Sequence, residues 1–247
     1  MAVKGFGEAK KTGGWAKRLV IAVDGKERTG KTTFGLSAPG PLAFFPLDPG
    51  MEGVVEKAIK SKKILLPLDE KGNVETFDYR DATSQKDYER LWDKFKSLYY
   101  EGLGSKEIKS IIIDTSTEAW ELLRMTRFGR LAQVQPHNYG PVNAEFRDMI
   151  KQIYKTDKNL ILIHKLKNEY INDKRTGEME RAGFGDTGYL VQINTTLSWT
   201  QEEGFKMLVK DCRQNMDIAG MVIAEPMNSF PYLAVQVYPD SDIEDWE

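Results

Sequence analysis

The chain has 247 residues, 40% of them hydrophobic, with 35 Lys and Arg against 37 Asp and Glu and a formal net charge of −2 at pH 7. That length suits one large domain with short appendages, and the balanced charge excludes a uniformly basic coat for nucleic acid while leaving room for a local basic groove. No run of about 18 apolar residues offers a membrane span, the first residues lack the apolar stretch of a secretory signal, and the single cysteine, Cys212, cannot form an internal disulfide, so a reducing, cytoplasmic setting is expected.

Residues 1–17 carry Lys4, Lys10, Lys11 and Lys17 against one acid, Glu8, are punctuated by glycine, and read as a flexible arm. Phe6 has no core of its own there; burying it in a second copy of the chain would contribute about 1.5–3 kcal/mol. The apolar run Leu19–Val23 reads as a buried strand and Thr33–Leu36 as the first turn of a helix. Between them stands Gly25-Lys26-Glu27-Arg28-Thr29-Gly30-Lys31-Thr32, a complete G-x-x-x-x-G-K-[ST] phosphate loop in its proper strand–loop–helix setting. Its backbone amides, with Thr33 at the helix start, would surround the phosphates of ATP or GTP; Lys31 would reach the outer phosphates, and Thr32 would offer its hydroxyl to Mg²⁺.

Further along, Leu42–Phe45 reads as a strand ending at Asp48, Met51–Lys60 as a helix, Ile64–Leu66 as a short strand and Ser84–Tyr100 as an amphipathic helix. Ile111–Ile113 is a strand closed by Asp114, followed by helices over Glu118–Arg130 and Val142–Tyr154; Leu160–Ile163 is another, closed by His164. Lys165–Gly188 is polar and glycine-punctuated and reads as a long loop or mobile hairpin. Thr195–Gln201, Phe205–Asp211 and Tyr232–Tyr238 read as later strands, and Asp240–Glu247, with five acids and no base, as a mobile acidic tail that competes with DNA for a basic groove, the alternatives being a partner-docking peptide anchored by Trp246 and Ile243 or a merely solubilising end. The expected organisation is an arm (1–17), an α/β domain with a mostly parallel sheet, helices on both faces and C-terminal antiparallel strands (18–239), and a tail (240–247).

Ligands on such sheets bind at the carboxyl ends of the strands, which would set the loop, Asp48, Asp114 and His164 along one rim. Asp114 suits Mg²⁺ coordination, the alternative being a cap for the following helix. Asp48 suits activation of an attacking water, with Glu52 as fallback and a plain turn residue as the alternative. His164 suits sensing of the terminal phosphate, or a structural place in the core.

These landmarks, in this order, resemble the RecA-like recombinase core. Ala43–Asp48 looks like the family strand that ends in a catalytic glutamate, with Asp in its place; Ile111–Thr115 is similar to the Walker B strand; Leu162-Ile163-His164 resembles the strand ending in a sensing glutamine, with His substituted. The resemblance covers roughly residues 15–215 and is greatest to compact phage ATPases, among them single-strand-annealing recombination proteins. It implies an ATP hydrolase using Mg²⁺, stimulated by single-stranded DNA, promoting annealing or strand exchange as a ring or filament, alongside a single-strand-binding protein and, if phage-encoded, in the host cytoplasm. Phe6-Gly7-Glu8-Ala9 resembles the F-x-x-A motif by which some recombinases join neighbours, although two fixed positions arise readily by chance. Two loops would face DNA: one with Arg124, Arg127 and Arg130, otherwise a solvated helix face, and one with Lys165, Lys167, Lys174 and Arg175. Lys210 and Arg213 would act in trans on a neighbour's nucleotide or stand as ordinary surface charge. A loader of AAA+ type lacks an evident C-terminal helical lid here, and a small-molecule kinase lacks an Arg-rich one.

Overall fold

The computed structural model describes residues 17–48, 50–130 and 134–247, without the side chains of Glu52 and Pro136. The arm carrying Phe6 falls outside the described residues apart from Lys17.

Strands and helices alternate along most of the chain: β1 (Val20–Gly25), α1 (Lys31–Leu36), β2 (Leu42–Pro46), α2 (Glu52–Ala58), β3 (Ile64–Leu65), α3 (Gln85–Gly104), β4 (Ser110–Asp114), α4 (Ser116–Phe128), α5 (Gly140–Lys151) and β5 (Asn159–Ile163). They are followed by β6 (Leu166–Ile171), β7 (Lys174–Arg181), α6 (Thr187–Leu190), β8 (Ile193–Thr200), β9 (Gly204–Cys212), β10 (Val222–Ala224) and α7 (Phe230–Val237). Eight strands form one sheet in the order β10-β9-β8-β1-β5-β4-β2-β3, parallel apart from the antiparallel pairings of β9 and β10. This is the α/β architecture expected of a P-loop domain.

Strand alternation sends successive side chains to opposite faces, and each face meets its own helices. Leu19, Ile21 and Val23 pack with Phe34 of α1, Val55 of α2 and Phe230 of α7. Val20 and Ala22 pack on the other side with Trp92 and Phe95 of α3, Leu122 of α4 and Phe146 of α5. Burial on both faces explains why β1, β4 and β5 read as unbroken apolar runs. The helices start at defined points: Ser84 and Asp87 form a reciprocal capping box for α3, and the Thr115 hydroxyl accepts from the Glu118 amide to cap α4. β1 lies where the connections change direction, with β2–β5 on one side and β8–β10 on the other, which opens a crevice at its carboxyl end.

One sequence expectation narrows to one of its two readings, and two change. Lys165–Gly188 holds a two-stranded hairpin, β6–β7, that turns at Asn172-Asp173, both with positive φ (52° and 60°), a type I′ geometry matched to strand twist. Tyr232–Tyr238 is not a strand but the later part of α7 and its C-cap, Tyr238: Phe230, Leu233, Ala234 and Val237 are all buried at helical spacing, and Pro231 sits in the first turn, where no amide is required. Nor is Asp240–Glu247 free. Its last turn, Ile243–Trp246, drives Trp246 into the core at 4% exposure, stacked on Tyr238 with centroids 5.6 Å apart, while its indole N–H donates to Ser241 Oγ at 2.9 Å. The acids that suggested mobility cap this turn: the Asp242 amide donates to the Asp245 carboxylate. A segment that closes the core cannot also roam over a DNA groove, so the competitive tail is withdrawn.

Trp246→Ala should therefore destabilise the fold by about 3 kcal/mol, as expected for truncating a buried Trp. Urea denaturation of wild type and variant measures this; equal midpoints would mean that the indole contributes nothing.

Candidate nucleotide-binding site

The loop 25–32 turns off the end of β1 into α1. Gly25 is required by crowding, because a Cβ there would lie 2.4 Å from the Leu197 carbonyl oxygen of β8. Gly30, at φ +83°, takes the left-handed step that starts α1. The Lys31 ammonium folds back onto the loop, donating to the carbonyls of Gly25 (2.8 Å) and Lys26. Burial lowers the Lys31 pKa, and Asp114 and Asp24 oppose that shift. The loop forms one wall of a cleft of about 770 Å³ whose other walls include Asp48, Gly50, Met51, Asp114, Thr115, Lys165, Leu166 and Met179.

Within the cleft the Thr32 hydroxyl donates to the Asp114 carboxylate at 2.6 Å. Burial raises the Asp114 carboxyl to about 6, opposed by the Thr32 hydrogen bond and reinforced by Asp48. Asp48 lies within 3.3 Å of the Lys165 ammonium, which also donates to Glu118 at 2.6 Å. The expected fallback Glu52 lies at the start of α2, its side chain outside the described residues.

His164 does not join this group. Its ring is completely buried, with Nδ1 3.3 Å from the Ala182 carbonyl, and it does not line the cleft. Burial, and then the Arg181 charge, push its pKa down to about 3, so the ring is neutral. The strand alternation that aims Ile163 at one face turns His164 into the core, and Lys165, one residue on, reaches the cleft instead.

Other expected contacts are occupied within the fold. Arg124 is paired with Glu121, Arg127 with Glu145 at 2.9 Å, and Arg130 donates to Tyr88 Oη and to the carbonyls of Arg80 and Ala82. Lys167 pairs with Glu180 across the hairpin. Lys210 donates to Asp24 at 3.2 Å, and Arg213 to the Tyr189 carbonyl, so both are committed in cis. Lys174 and Arg175 are exposed near the hairpin turn without ion pairs among the described residues.

Sequence reasoning missed Asp24. Fully buried directly before the loop, it accepts from Thr196 Oγ1 at 2.5 Å, from Arg181 at 2.9 Å and from Lys210. Burial alone would raise this carboxyl; the Thr196 bond and the two cations outweigh it and hold it low. An acid closing an otherwise apolar strand was the available signal. Glu118, one turn beyond Asp114 on α4, was missed as a cleft-edge acid for want of any local signal.

The donor set fits a polyphosphate with Mg²⁺. Lys31 and the amides at the start of α1 suit phosphate oxygens, and the Thr32 hydroxyl and Asp114 carboxylate are hard oxygen donors, close enough to serve one small cation.

Asp114 has a pH signature. Between its unfolded value near 3.8 and its folded value near 6, the folded chain keeps a proton that the unfolded chain has lost. The associated stability is complete below the lower value and lost as pH rises through the higher. Asp114→Asn keeps an acceptor for Thr32 without the buried charge. Without nucleotide it should melt above wild type at pH 7.5, with the gap closing toward pH 4. Thermal unfolding at both values checks this, and a lower melting point for the variant at pH 7.5 would contradict it.

A search of curated proteins returned no significant match. The family of P-loop ATPases described as "AAA domain" matches residues 17–195, which takes in the phosphate loop, Asp48, Asp114 and the β6–β7 hairpin. The P-loop ATPases of such a family generally bind a nucleotide with Mg²⁺, in keeping with the donor set described above. With well over half of its length matched, the chain belongs to this AAA-domain family of P-loop ATPases.

Proposed function

We propose that this chain is a Mg²⁺-dependent ATP hydrolase whose turnover is coupled to single-stranded DNA, and that it serves annealing or strand exchange in phage-type recombination. The observation that carries the coupling is the β6–β7 hairpin. Its root lines the nucleotide cleft through Leu166 and Met179, while its far end exposes Tyr170, Ile171, Lys174 and Arg175. Tyr170 stands directly opposite Arg175 and Ile171 opposite Lys174 in the strand register, so a ring and a cation stand side by side. Rings that stack bases beside cations that meet phosphates are the usual chemistry of single-strand binding. A two-stranded lever fixed at the cleft gives a direct route from nucleotide state to strand binding.

In this reading Lys31 binds the outer phosphates, Thr32 and Asp114 hold the metal, and Asp48, with a side chain 41% exposed at the cleft, orients the attacking water. Bound Mg²⁺ would neutralise charge developing on the transferred phosphoryl group. DNA contact moves from Arg124, Arg127 and Arg130 to the hairpin. Assembly into a ring or filament, through an arm outside the described residues, rests on the resemblance to RecA-like proteins. The loader reading gains nothing from α7, because its apolar face is spent on the core and cannot serve as a mobile lid.

ATP hydrolysis by wild type should rise on adding single-stranded DNA and stay at background for Lys31→Ala under both conditions. Phosphate release assays check this; an unstimulated wild type would remove the DNA coupling, and an active Lys31→Ala would remove the loop assignment. Replacing Lys174 and Arg175 by Ala should weaken single-strand binding and reduce its log–log salt slope by about 0.7 for each lost phosphate contact. Fluorescence anisotropy across a salt series measures the slope, and an unchanged slope would exclude the hairpin as the phosphate contact.

A further inference from the structure

We infer that Lys165 reads the terminal phosphate of the bound nucleoside triphosphate, giving up its carboxylate partners to do so, and thereby distinguishes triphosphate from diphosphate. The inference rests on the proposed reading of the cleft as an ATP site. Of the cations lining that cleft, Lys26, Arg28 and Lys31 belong to the phosphate loop; Lys165 is the one contributed from elsewhere among the described residues. It enters just past the end of β5, with its ammonium 3.3 Å from Asp48 and close enough to Asp114 to act on its charge. In the proposed reading Asp48 aims the attacking water at the terminal phosphate, which sets that phosphate beside the Asp48–Lys165 pair. The like charges that meet there call for a cation, and Lys165 supplies it.

The side chain is held in a manner suited to exchange. Its ammonium is shared between Glu118 at 2.6 Å and Asp48 at 3.3 Å, and the side chain is 39% exposed. The Glu118 carboxylate has a second donor, Tyr79 Oη, at 2.5 Å, so it remains satisfied when the ammonium leaves. The backbone of Lys165, by contrast, is clamped. Its amide donates to Thr117 Oγ1 at 3.0 Å, and its carbonyl accepts from the Ala182 amide at 2.9 Å. Only the side chain is free to change partner. A dianionic terminal phosphate offers more charge than either carboxylate, and a charge-assisted bond to it is the stronger one. A diphosphate ends short of this position and leaves Lys165 with Glu118. Because Leu166, the next residue, begins the hairpin, the exchange occurs at its root.

Lys165→Met keeps the length of the side chain and removes the charge. With Mg²⁺ present, its affinity for the non-hydrolysable triphosphate AMP-PNP, measured by isothermal titration calorimetry, should fall about tenfold or more, as for loss of a charge-assisted bond. Its affinity for ADP should stay within about twofold, since no diphosphate contact is lost. Lys165→Arg should restore most of the discrimination, and Glu118→Gln, which weakens the competing partner, should hold or raise AMP-PNP affinity. Equal effects of Lys165→Met on both nucleotides, or none on either, would overturn the inference. So would a Glu118→Gln variant that loses AMP-PNP affinity as Lys165→Met does, since the pair would then be structural. A wild type that binds neither nucleotide removes the ATP reading itself, an outcome distinct from wild-type binding with an indifferent Lys165.

Discussion

The structure depends on a buried carboxylate one residue before the phosphate loop. Asp24 ends the apolar part of β1 with no exposure to solvent, and an isolated charge there would cost several kcal/mol. It is tolerated because three elements converge on it: Thr196 from β8, Lys210 from β9 and Arg181 from the end of β7. Arg181 also donates to Asn194, whose amide in turn binds Asp211. The network ties the hairpin and the antiparallel strands to the strand that aims the loop. Removing one partner of such a cluster leaves a desolvated charge uncompensated, so these elements are expected to hold position together.

The hairpin is consequently gripped at both legs by electrostatics of different kinds. The β7 leg is pinned by Arg181 to a carboxylate with no exposure, a fixed joint. The β6 leg starts beside Lys165, whose carboxylates are partly open to solvent. The backbone is held on both legs, because the Lys165 amide donates to Thr117 Oγ1 and its carbonyl accepts from the Ala182 amide. An exchange of partners by the Lys165 side chain would therefore change the charge at the hairpin root rather than the position of the strands.

The parts of this organisation legible in the sequence are those with local causes. The phosphate loop, the unbroken apolar strands and Asp114 at a strand end follow from backbone sterics and two-sided burial, and each lies where those rules put it. The failures have equally specific causes. Tyr232–Tyr238 reads as a strand because a short apolar run carries little periodicity, although Phe230, Leu233, Ala234 and Val237 hold the helical spacing once Phe230 is included. The acidic end reads as mobile because five acids outweigh one Trp, and nothing local shows that the indole finds its apolar surface within the same chain rather than on a partner. Position at a strand end points His164 to the rim, but a one-residue offset on a pleated strand exchanges core for cleft.

Charge pairing is the property that sequence conveys least. Arg124, Arg127 and Arg130 form a conspicuous cationic series in the chain, yet in the fold each is held by a partner in the same molecule, two of them by carboxylates on α4 and α5. By the same count the hairpin is not simply a basic patch, because Glu169, Asp173, Glu178 and Glu180 nearly balance its bases. Pairing sorts these charges by position: Lys167 is taken by Glu180 near the root of the hairpin, while Lys174 and Arg175 at the turn are left to solvent beside Tyr170 and Ile171. A polyanion responds to the charges left uncompensated rather than to the sum. A segment that is nearly neutral overall can therefore present more uncompensated positive charge than a run of arginines already neutralised.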